Sequence, residues 1–195
     1  MVDCKKVSAI VLSGGKSSRM GTDKCDLIYN NESLINLQID KLNDLGIEDI
    51  IAAGYRGKSC KTKVVRDDIM KGPLSGIYVG LNNIKNDRAL VISVDVPLVK
   101  KETIKRVIDY SFEKDLDIAM VMHHGNREPL IGVYKKDLTK KIEAILLSDS
   151  YSVMKLADMC KYEFVDVEDD DENFLNVNYK DDYDKLLKVK LEGGK

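Results

Sequence analysis

The sequence lacks the features that mark membrane, secreted or zinc-stabilised proteins. Its four cysteines are widely scattered and include no CxxC pair, which argues against a structural zinc site and a disulfide framework. No apolar stretch approaches membrane-spanning length, and the N-terminal residues lead into a short apolar run that ends at a glycine pair without a small-residue cleavage site. We therefore expect reduced thiols and a cytoplasmic protein without membrane contact.

An excess of positive charge is also missing. Thirty-one Lys and Arg against 33 Asp and Glu leave a formal net charge of -2, and no segment is dominated by basic residues. Proteins that bind nucleic acid usually carry a basic patch, so nucleic acid is not the expected partner. The length of 195 residues, with 44% hydrophobic residues, predicts a single domain over residues 1–195.

Two common phosphate-binding signatures are absent as well. A Walker A loop would place its first glycine on Ile10, and the glycines have the wrong spacing for GxGxxG. These absences argue against a P-loop kinase and against a dehydrogenase.

Apolar runs alternate with helical patterns along the whole chain. Residues 7–12 form a nearly continuous apolar run, typical of a strand buried on both faces of a parallel sheet. Residues 33–45 have apolar positions at helical spacing, and Gly46 is a suitable C-terminal cap. Further strands are predicted at 49–53, 63–65, 89–94, 118–122, 130–134, 162–167 and 174–177, and further helices at 74–84, 101–112, 136–147, 152–159 and 182–189. This alternation predicts a three-layer α/β/α sandwich with a mostly parallel sheet and right-handed crossovers.

Polar residues follow three of the predicted strands. A glycine-rich loop leaves the first strand, Asp67 follows strand 63–65, and Asp95 follows strand 89–94. Open parallel sheets bind ligands beyond the carboxyl ends of their strands. The sequence therefore predicts a binding site at this edge of the sheet.

The loop after the first strand has the composition of a phosphate-binding cradle. Glycines allow backbone amides to approach phosphate oxygens, and cations neutralise a triphosphate. The glycines are Gly14, Gly15 and Gly21, and the cations are Lys16, Arg19 and Lys24. The alternative is a basic surface loop without a ligand, and the position directly after a buried strand favours the cradle.

Asp95 is the predicted magnesium ligand. Pro97 follows closely and stops the strand, which keeps the carboxylate near the sheet edge. Magnesium prefers oxygen ligands and takes its remaining ones from phosphate and water. The alternatives are a turn-forming aspartate at 95 and, for Asp67 beside Asp68, an ordinary surface pair.

Three further patterns carry weaker predictions. Gly72 and Pro73 mark a tight turn into a helix, where Gly76 allows close approach of another segment or a ligand, although packing alone also explains it. His123 and His124 are adjacent in a predicted strand, so they are expected to face opposite ways, to lie at the surface and not to share a metal. The acidic stretch 166–172 is interpreted as a solvated loop.

Together these motifs resemble the molybdenum cofactor guanylyltransferases, nearly from end to end of the chain. The resemblance rests on Leu12-Ser13-Gly14-Gly15, Arg19-Met20-Gly21, Asp23-Lys24, Gly72-Pro73-Leu74-Ser75-Gly76-Ile77, Val94-Asp95-Val96-Pro97 and Phe174-Leu175-Asn176-Val177-Asn178. The first block is typical of the wider nucleotidyltransferase superfamily, and the final Asn-x-Asn block narrows the choice. The resemblance implies a Rossmann-like nucleotidyltransferase fold.

It also implies an activity and its participants. The expected reaction transfers GMP from GTP to Mo-molybdopterin, releases pyrophosphate and forms molybdopterin guanine dinucleotide. The implied cofactor is Mg²⁺, and the implied partners are GTP, molybdopterin, and proteins that deliver molybdopterin or accept the product. A phosphate monoester has a second pKa near ~6, so the acceptor is already ionised at neutral pH and needs no dedicated base.

The resemblance assigns roles to individual residues. The implied nucleotide contacts are Leu12, Ser13, Gly14, Gly15, Lys24, Asp67 and Asp95; the catalytic residues are Arg19, Lys24 and Asp95; the metal ligand is Asp95; and the pterin contacts are Asn176 and Asn178. The Gly14-Gly15 pair resembles members that use GTP rather than CTP. Ser13, Asp26 and Val94 depart from the family's common residues, and Ala53 replaces an Asn that touches the nucleotide in some relatives.

Two other functions stay open at this point. One is a related nucleotidyltransferase that uses CTP or another phosphorylated acceptor. The other is a regulator that binds GTP and magnesium but releases no pyrophosphate. The nucleotide and acceptor that together yield pyrophosphate distinguish these possibilities.

Overall fold

A computed structural model describes residues 1–14, 24–148 and 150–189. Its strands are β1 (Ser8–Leu12), β2 (Ile28–Tyr29), β3 (Glu32–Ser33), β4 (Asp49–Ala53), β5 (Lys63–Val65), β6 (Arg88–Ser93), β7 (Ile118–His123), β8 (Asn126–Lys135) and β9 (Tyr162–Val167). Its α-helices are α1 (Leu34–Asp44), α2 (Gly72–Leu81), α3 (Lys101–Glu113), α4 (Thr139–Leu146), α5 (Val153–Ala157) and α6 (Lys180–Leu186). Short 3-10 helices lie at Cys4–Lys6, Lys24–Asp26, Lys136–Leu138 and Asp171–Phe174.

Seven strands form one sheet in the order β5-β4-β1-β6-β8-β7-β9. β8 is antiparallel to both of its neighbours, and the other adjacent pairs are parallel. The predicted mostly parallel sheet is therefore confirmed. Because they run in the same direction, β1, β4, β5, β6, β7 and β9 all end at one edge of the sheet, which we call the carboxyl edge.

The core lies on both faces of this sheet. Along β1, Ala9 and Val11 pack on one face with the apolar side chains of α1, α3 and α6. Ile10 and Leu12 pack on the other face with those of α2, α4 and α5. The predicted three-layer α/β/α sandwich is confirmed, and the apolar run of β1 is explained by burial on both faces.

Helix α1 begins and ends as its sequence signals predict. The Ser33 side chain accepts a hydrogen bond from the Asn36 N–H at 3.4 Å and caps the first turn. At the other end Gly46 has a φ of 84°, and its N–H donates to the Asn43 carbonyl at 2.8 Å. Glycine tolerates this left-handed conformation without strain, so Gly46 terminates the helix.

Helix α2 packs closely on β1 because two of its residues have no side chain. A Cβ atom added to Gly76 would lie 2.9 Å from Leu12 Cδ2, and one on Gly80 would lie 2.7 Å from Ile10. The helix begins at Gly72 with a proline in its first turn, which confirms the predicted turn. This close packing brings the start of α2 to the carboxyl edge.

The predicted strand at 174–177 is wrong. Phe174 ends the 3-10 helix Asp171–Phe174, and the next residues belong to no strand. Phe174 and Val177 are both buried, three positions apart, and the Val177 N–H donates to the Asp95 carbonyl at 2.8 Å. A short apolar run has the same composition whether it is a strand of the sheet or an irregular segment packed against it. The sequence could therefore not distinguish these two structures.

All four cysteines lie in the described residues, and none of them forms a disulfide there. Within the described ranges, no helix combines the length and the apolar character that a membrane crossing requires.

Candidate functional site

The first residue after β1, Ser13, is held in place by hydrogen bonds. Ser13 is buried, and both its N–H and its hydroxyl donate to the Ala53 carbonyl, at 3.0 and 2.9 Å. These bonds tie the end of β1 to the end of β4. The Ser13 hydroxyl is thus directed into the protein, and the residue positions the beginning of the loop.

Two glycines allow the ends of β1 and β4 to come close together. Gly54 has a φ of 82°, and a Cβ atom there would lie 3.0 Å from Gly14 Cα. The Gly54 N–H also donates to the Val65 carbonyl at 2.8 Å, which connects β5 to the same point. The absence of side chains leaves the backbone at this edge open to a ligand.

Lys24 begins the 3-10 helix Lys24–Asp26 on the far side of the loop. The next residue, Cys25, is buried, and its Sγ donates to the Ser13 carbonyl at 3.2 Å. The two ends of the loop are therefore joined. The predicted Gly15 and Arg19 lie outside the described residues, as does the rest of segment 15–23.

Lys24 meets two other predicted site residues. Its Nζ donates to Asp95 Oδ2 at 3.1 Å and to Asn178 Oδ1 at 3.2 Å. The Lys24 and Asp95 side chains are 20% and 18% exposed, so the pair is shielded but still accessible. We call Lys24, Asp95 and Asn178 the cation cluster. The fold brings Lys24 together with a residue 154 positions away in the chain.

The Asp95 turn is held from both sides. The Val94 N–H donates to the Leu12 carbonyl at 3.0 Å, which extends the pairing of β6 with β1. The Asp95 carbonyl in turn accepts the Val177 N–H at 2.8 Å. Segment 174–178 therefore lies against this turn, and it brings Asn178 to the cluster.

A stack of three rings holds the start of segment 174–178. The Phe174 ring stacks on His123 with centroids 4.0 Å apart, and His123 stacks on His124 at 4.2 Å. His123 is 3% exposed, and its Nε2 lies 2.8 Å from the Asp169 carbonyl. Since that carbonyl can only accept, Nε2 carries the proton and donates.

The prediction that the two histidines lie at the surface on opposite faces of a strand is wrong for His123, which is buried, whereas His124 is exposed as predicted. His124 has a φ of 47° and belongs to the turn between β7 and β8, so the strand alternation stops before it. Both rings approach Asp171 Oδ1, at 3.1 Å from His124 Nδ1 and 3.7 Å from His123 Nε2. The ligand atoms of His123, His124 and Asp171 all lie within 4.8 Å of one another, so the spacing of the two rings does not exclude a shared metal ion, contrary to the expectation.

The acidic stretch 166–172 is mostly exposed, as predicted, but it also makes specific contacts. Its first residues, 166 and 167, belong to β9. Asp169 accepts a hydrogen bond from Thr103 in α3, and Asp171 faces the histidines. The stretch therefore fastens segment 174–178 to the rest of the edge.

Asp67 lies at the carboxyl edge, but both of its carboxylate oxygens accept hydrogen bonds from nearby residues of the chain. Oδ1 accepts the N–H groups of Ile69 and Met70, both at 3.1 Å, and Oδ2 accepts the Ser75 hydroxyl at 2.6 Å. Asp67 is buried, with 8% of its surface exposed. An aspartate that binds backbone N–H groups two and three positions ahead shapes a turn. Asp67 thus orders the loop that leads into α2.

Asp26 has a structural partner that accounts for its departure from the family's common residue. Its carboxylate accepts the Tyr55 hydroxyl at 2.8 Å. Burial and the adjacent Asp26 raise the pKa of Tyr55 to about 12. The phenol therefore stays protonated and links the segment after Lys24 to the loop after β4.

Glu128 is a charged residue at this edge that the sequence patterns did not single out. It pairs with Val121 after an irregularity in the β7–β8 register, and it is half-buried. The pKa of Glu128 is raised above its usual value, mainly by burial. The nearby His123 partly offsets this shift, and Asp95 adds to it. The neighbouring Pro129 could have indicated the irregular register in the sequence, because proline inside a strand pattern often marks a bulge.

The cation cluster has a donor set that suits a hard divalent cation. A carboxylate oxygen of Asp95 and an amide oxygen of Asn178 converge on one ammonium group. Mg²⁺ prefers oxygen ligands of these types and completes its shell with phosphate and water. The residues present therefore fit a magnesium ion near Asp95.

Comparisons with known proteins agree with this geometry. Residues 9–161 match the family model described as the MobA-like NTP transferase domain. A molybdenum cofactor guanylyltransferase from Campylobacter jejuni is 30% identical over 190 residues, which cover 96% of this chain and 98% of the relative. A probable molybdenum cofactor guanylyltransferase from Clostridium perfringens is 34% identical over 201 residues, with 95% and 98% covered.

A solved structure supports the fold independently. Molybdopterin-guanine dinucleotide biosynthesis protein A from Archaeoglobus fulgidus superposes with a TM-score of 0.77 at 19% identity, covering 93% of this chain and 97% of that one. At this level of identity the likeness concerns the fold. With the family match over most of the chain, it leads to one conclusion: the chain belongs to the MobA-like NTP transferase family and is a nucleotidyltransferase.

Proposed function

We propose that the protein is a molybdenum cofactor guanylyltransferase that transfers GMP from GTP to Mo-molybdopterin. The observation that carries the proposal is the cation cluster, where Lys24, Asp95 and Asn178 meet at the end of β6. The names of the relatives, which align over almost their whole length, support the choice of nucleotide and acceptor.

On the nucleotide side, the backbone near Gly14 and Gly54 receives GTP. The close approach of β1 and β4 leaves little side-chain bulk there, and Leu12 and Ser13 hold the loop in place. Asp67 acts on the nucleotide through the loop that it orders. Gly15 and Arg19, which lie outside the described residues, belong to the same proposal as contacts of the triphosphate.

On the acceptor side, segment 174–178 receives the pterin. Asn176 lies between two buried anchors, Phe174 and Val177, and its side chain donates to the Phe174 carbonyl at 3.3 Å. Asn178 lies at the junction of the acceptor and the metal, because its Oδ1 already faces Lys24.

Asp95 anchors the proposed magnesium ion, with Asn178 as a neighbouring oxygen donor. When bound, Mg²⁺ draws charge from the phosphate oxygens and lowers the energy of the transition state. The Lys24 ammonium adds a fixed positive charge in a shielded position. Groups that are aligned beforehand in this way stabilise developing charge without reorganisation.

The reaction is an in-line displacement at phosphorus. An oxygen of the terminal phosphate of molybdopterin forms a bond to the α-phosphorus of GTP. The bond from that phosphorus to the bridging oxygen breaks, and pyrophosphate leaves with the electron pair. The acceptor phosphate is largely ionised at neutral pH, since its second pKa is about 6, so no protein base is required.

Transfer of labelled GMP to molybdopterin by the purified protein tests this proposal. We expect a labelled dinucleotide and pyrophosphate with GTP and Mg²⁺, and much less product with CTP or ATP. Product from CTP, or from a different phosphorylated acceptor, would replace this function with that of a related nucleotidyltransferase. GTP and Mg²⁺ binding without pyrophosphate from any acceptor would instead identify a regulator.

A further inference from the structure

Helix α1 presents two polar side chains to the turn that carries Asp95. Gln38 Nε2 donates to the Ser93 carbonyl at 3.2 Å and to the Val96 carbonyl at 2.9 Å. These two carbonyls flank Asp95 on either side. One turn further along the helix, Lys41 Nζ donates to the Pro97 carbonyl at 2.6 Å.

Gln38 occupies a position where an apolar residue would normally be expected. It is completely buried, and it lies on the same stripe of α1 as Leu34, Ile35 and Leu42. Its Oε1 finds no hydrogen-bond partner among the described residues. The amide orientation is nevertheless determined, because an oxygen in place of Nε2 would face two carbonyl oxygens.

A buried amide with one atom unpaired lowers stability compared with an apolar side chain that packs in the same space. Lys41 adds a second cost of this kind, because burial lowers its pKa to about 7. Two unfavourable groups on one helix, both directed at one turn, indicate that the conformation of the turn matters for more than folding.

We propose that Gln38 is a positioning residue that sets the direction of the Asp95 carboxylate toward the metal and the α-phosphate. Its amide fixes the backbone on both sides of Asp95, while Val177 fixes the Asp95 carbonyl. Groups that orient a metal ligand commonly influence the affinity for the metal as strongly as the activity. The inference rests on the proposed role of Asp95.

The test compares two variants that each remove a buried amide from α1. Gln38→Met keeps the approximate shape and removes the donor. Asn36→Leu is the matched control, since Asn36 is also buried but accepts the Lys61 N–H at 3.0 Å and does not touch the Asp95 turn. Mn²⁺ replaces Mg²⁺ as the probe, and free Mn²⁺ is followed by electron paramagnetic resonance in the presence of GTP.

We expect Gln38→Met to weaken Mn²⁺ binding by about 10- to 100-fold, as is typical when a group that orients a ligand is removed. GTP binding without metal should be unchanged, and Asn36→Leu should bind Mn²⁺ like the wild type. A folded Gln38→Met protein with wild-type Mn²⁺ affinity would overturn the inference, and so would an equal loss in both variants.

Gln38→Glu provides a second test that remains valid if the methionine variant does not fold. The introduced carboxyl would face two carbonyl oxygens beside Lys41 and Asp95, in a buried position that favours its neutral form. When this carboxyl is protonated, it can donate a hydrogen bond to one of the two carbonyls. When it is ionised, it repels both. The Mn²⁺ affinity relative to wild type should therefore fall as pH rises, and a ratio independent of pH would contradict the inference.

These measurements do not depend on the acceptor. If the wild type binds Mn²⁺ and GTP but transfers no GMP to molybdopterin, the proposed function fails while the role of Gln38 is still measured. If GMP transfer is found and Gln38→Met leaves Mn²⁺ affinity unchanged, the proposed function stands and the role of Gln38 is rejected.

Discussion

Two parts of the carboxyl edge use their polar residues in opposite ways. At the ends of β1 and β5, Ser13 and Asp67 are buried, and their side-chain oxygens bond to their own surroundings. At the end of β6, Lys24 donates to both Asp95 and Asn178, and these side chains stay partly accessible.

This difference in bonding distinguishes residues that support the fold, Ser13 and Asp67, from the residues of the cation cluster, which we propose take part in the reaction. Polar atoms that are fully bonded within the protein stabilise a loop, and a substrate can displace them only at a high energetic cost. Partly exposed groups in mutual contact can exchange one partner for a ligand. Substitutions at β1 and β5 should therefore mainly lower stability, whereas those in the cation cluster should mainly lower turnover.

Asp95→Ala should have the largest effect. It removes the proposed metal anchor while leaving the backbone bonds of the turn intact, so turnover should fall below detection in the GMP transfer assay. Asp68→Ala is the control, because its exposed carboxylate lies at the same edge and, among the described residues, forms an ion pair only with Arg56, at 3.9 Å. Wild-type-like transfer by folded Asp95→Ala protein would refute the assignment.

Lys24→Ala should have the next largest effect on turnover. Loss of a preorganised positive charge should cost about 2 to 4 kcal/mol of transition-state stabilisation, measured as a decrease in kcat/KM. Lys5→Ala serves as the control, since Lys5 forms an exposed pair with Glu48 outside the cluster. A decrease of less than about tenfold, or 1.4 kcal/mol, would count against a catalytic role for Lys24.

Asp67→Ala should act mainly on stability. It leaves two backbone N–H groups without their acceptor and removes one of the two acceptors of the Ser75 hydroxyl, so the free energy of unfolding should fall by about 1.5 to 3 kcal/mol in a urea titration. Ser75→Ala removes one of these three donors and should have a smaller effect. Unchanged stability combined with lost turnover would show that Asp67 acts directly on the reactants.

Ser13→Ala should have the smallest effect. It removes one neutral hydrogen bond to the Ala53 carbonyl, worth about 0.5 to 1.5 kcal/mol, and retains the backbone bond beside it. Urea unfolding should detect this decrease while GMP transfer remains at the wild-type rate. A large loss of transfer would mean that the hydroxyl contacts the nucleotide, contrary to its burial.

Much of the fold could be predicted because its signals are local. The apolar run of β1 and the Gly46 cap of α1 each reflect the environment or conformation of a few consecutive residues. The strand predicted at 174–177 was wrong because burial beside Asp95 and pairing in a sheet require the same apolar residues. His123 and His124 were misplaced because a positive φ at His124 ended the strand alternation.

The candidate site was predictable in part for the same reason. Asp95 and Lys24 stand in recognisable motifs, and the rule for parallel sheets places both at one edge. Gln38 was missed, although a polar residue within the apolar stripe of α1 was a usable signal. Its partners are backbone carbonyls more than 50 positions away, and no motif records such contacts.

The sequence alone determined the alternation of strands and helices and the edge at which ligands should bind, since both follow from periodicity and from the direction of parallel strands. Only the tertiary structure decided which charged and polar groups touch. Lys24 meets Asp95 and Asn178 because the sheet order puts β1 beside β6 and because Phe174 and Val177 anchor the late segment there. Contacts between residues so distant in the chain depend on how the layers pack, which local patterns do not encode.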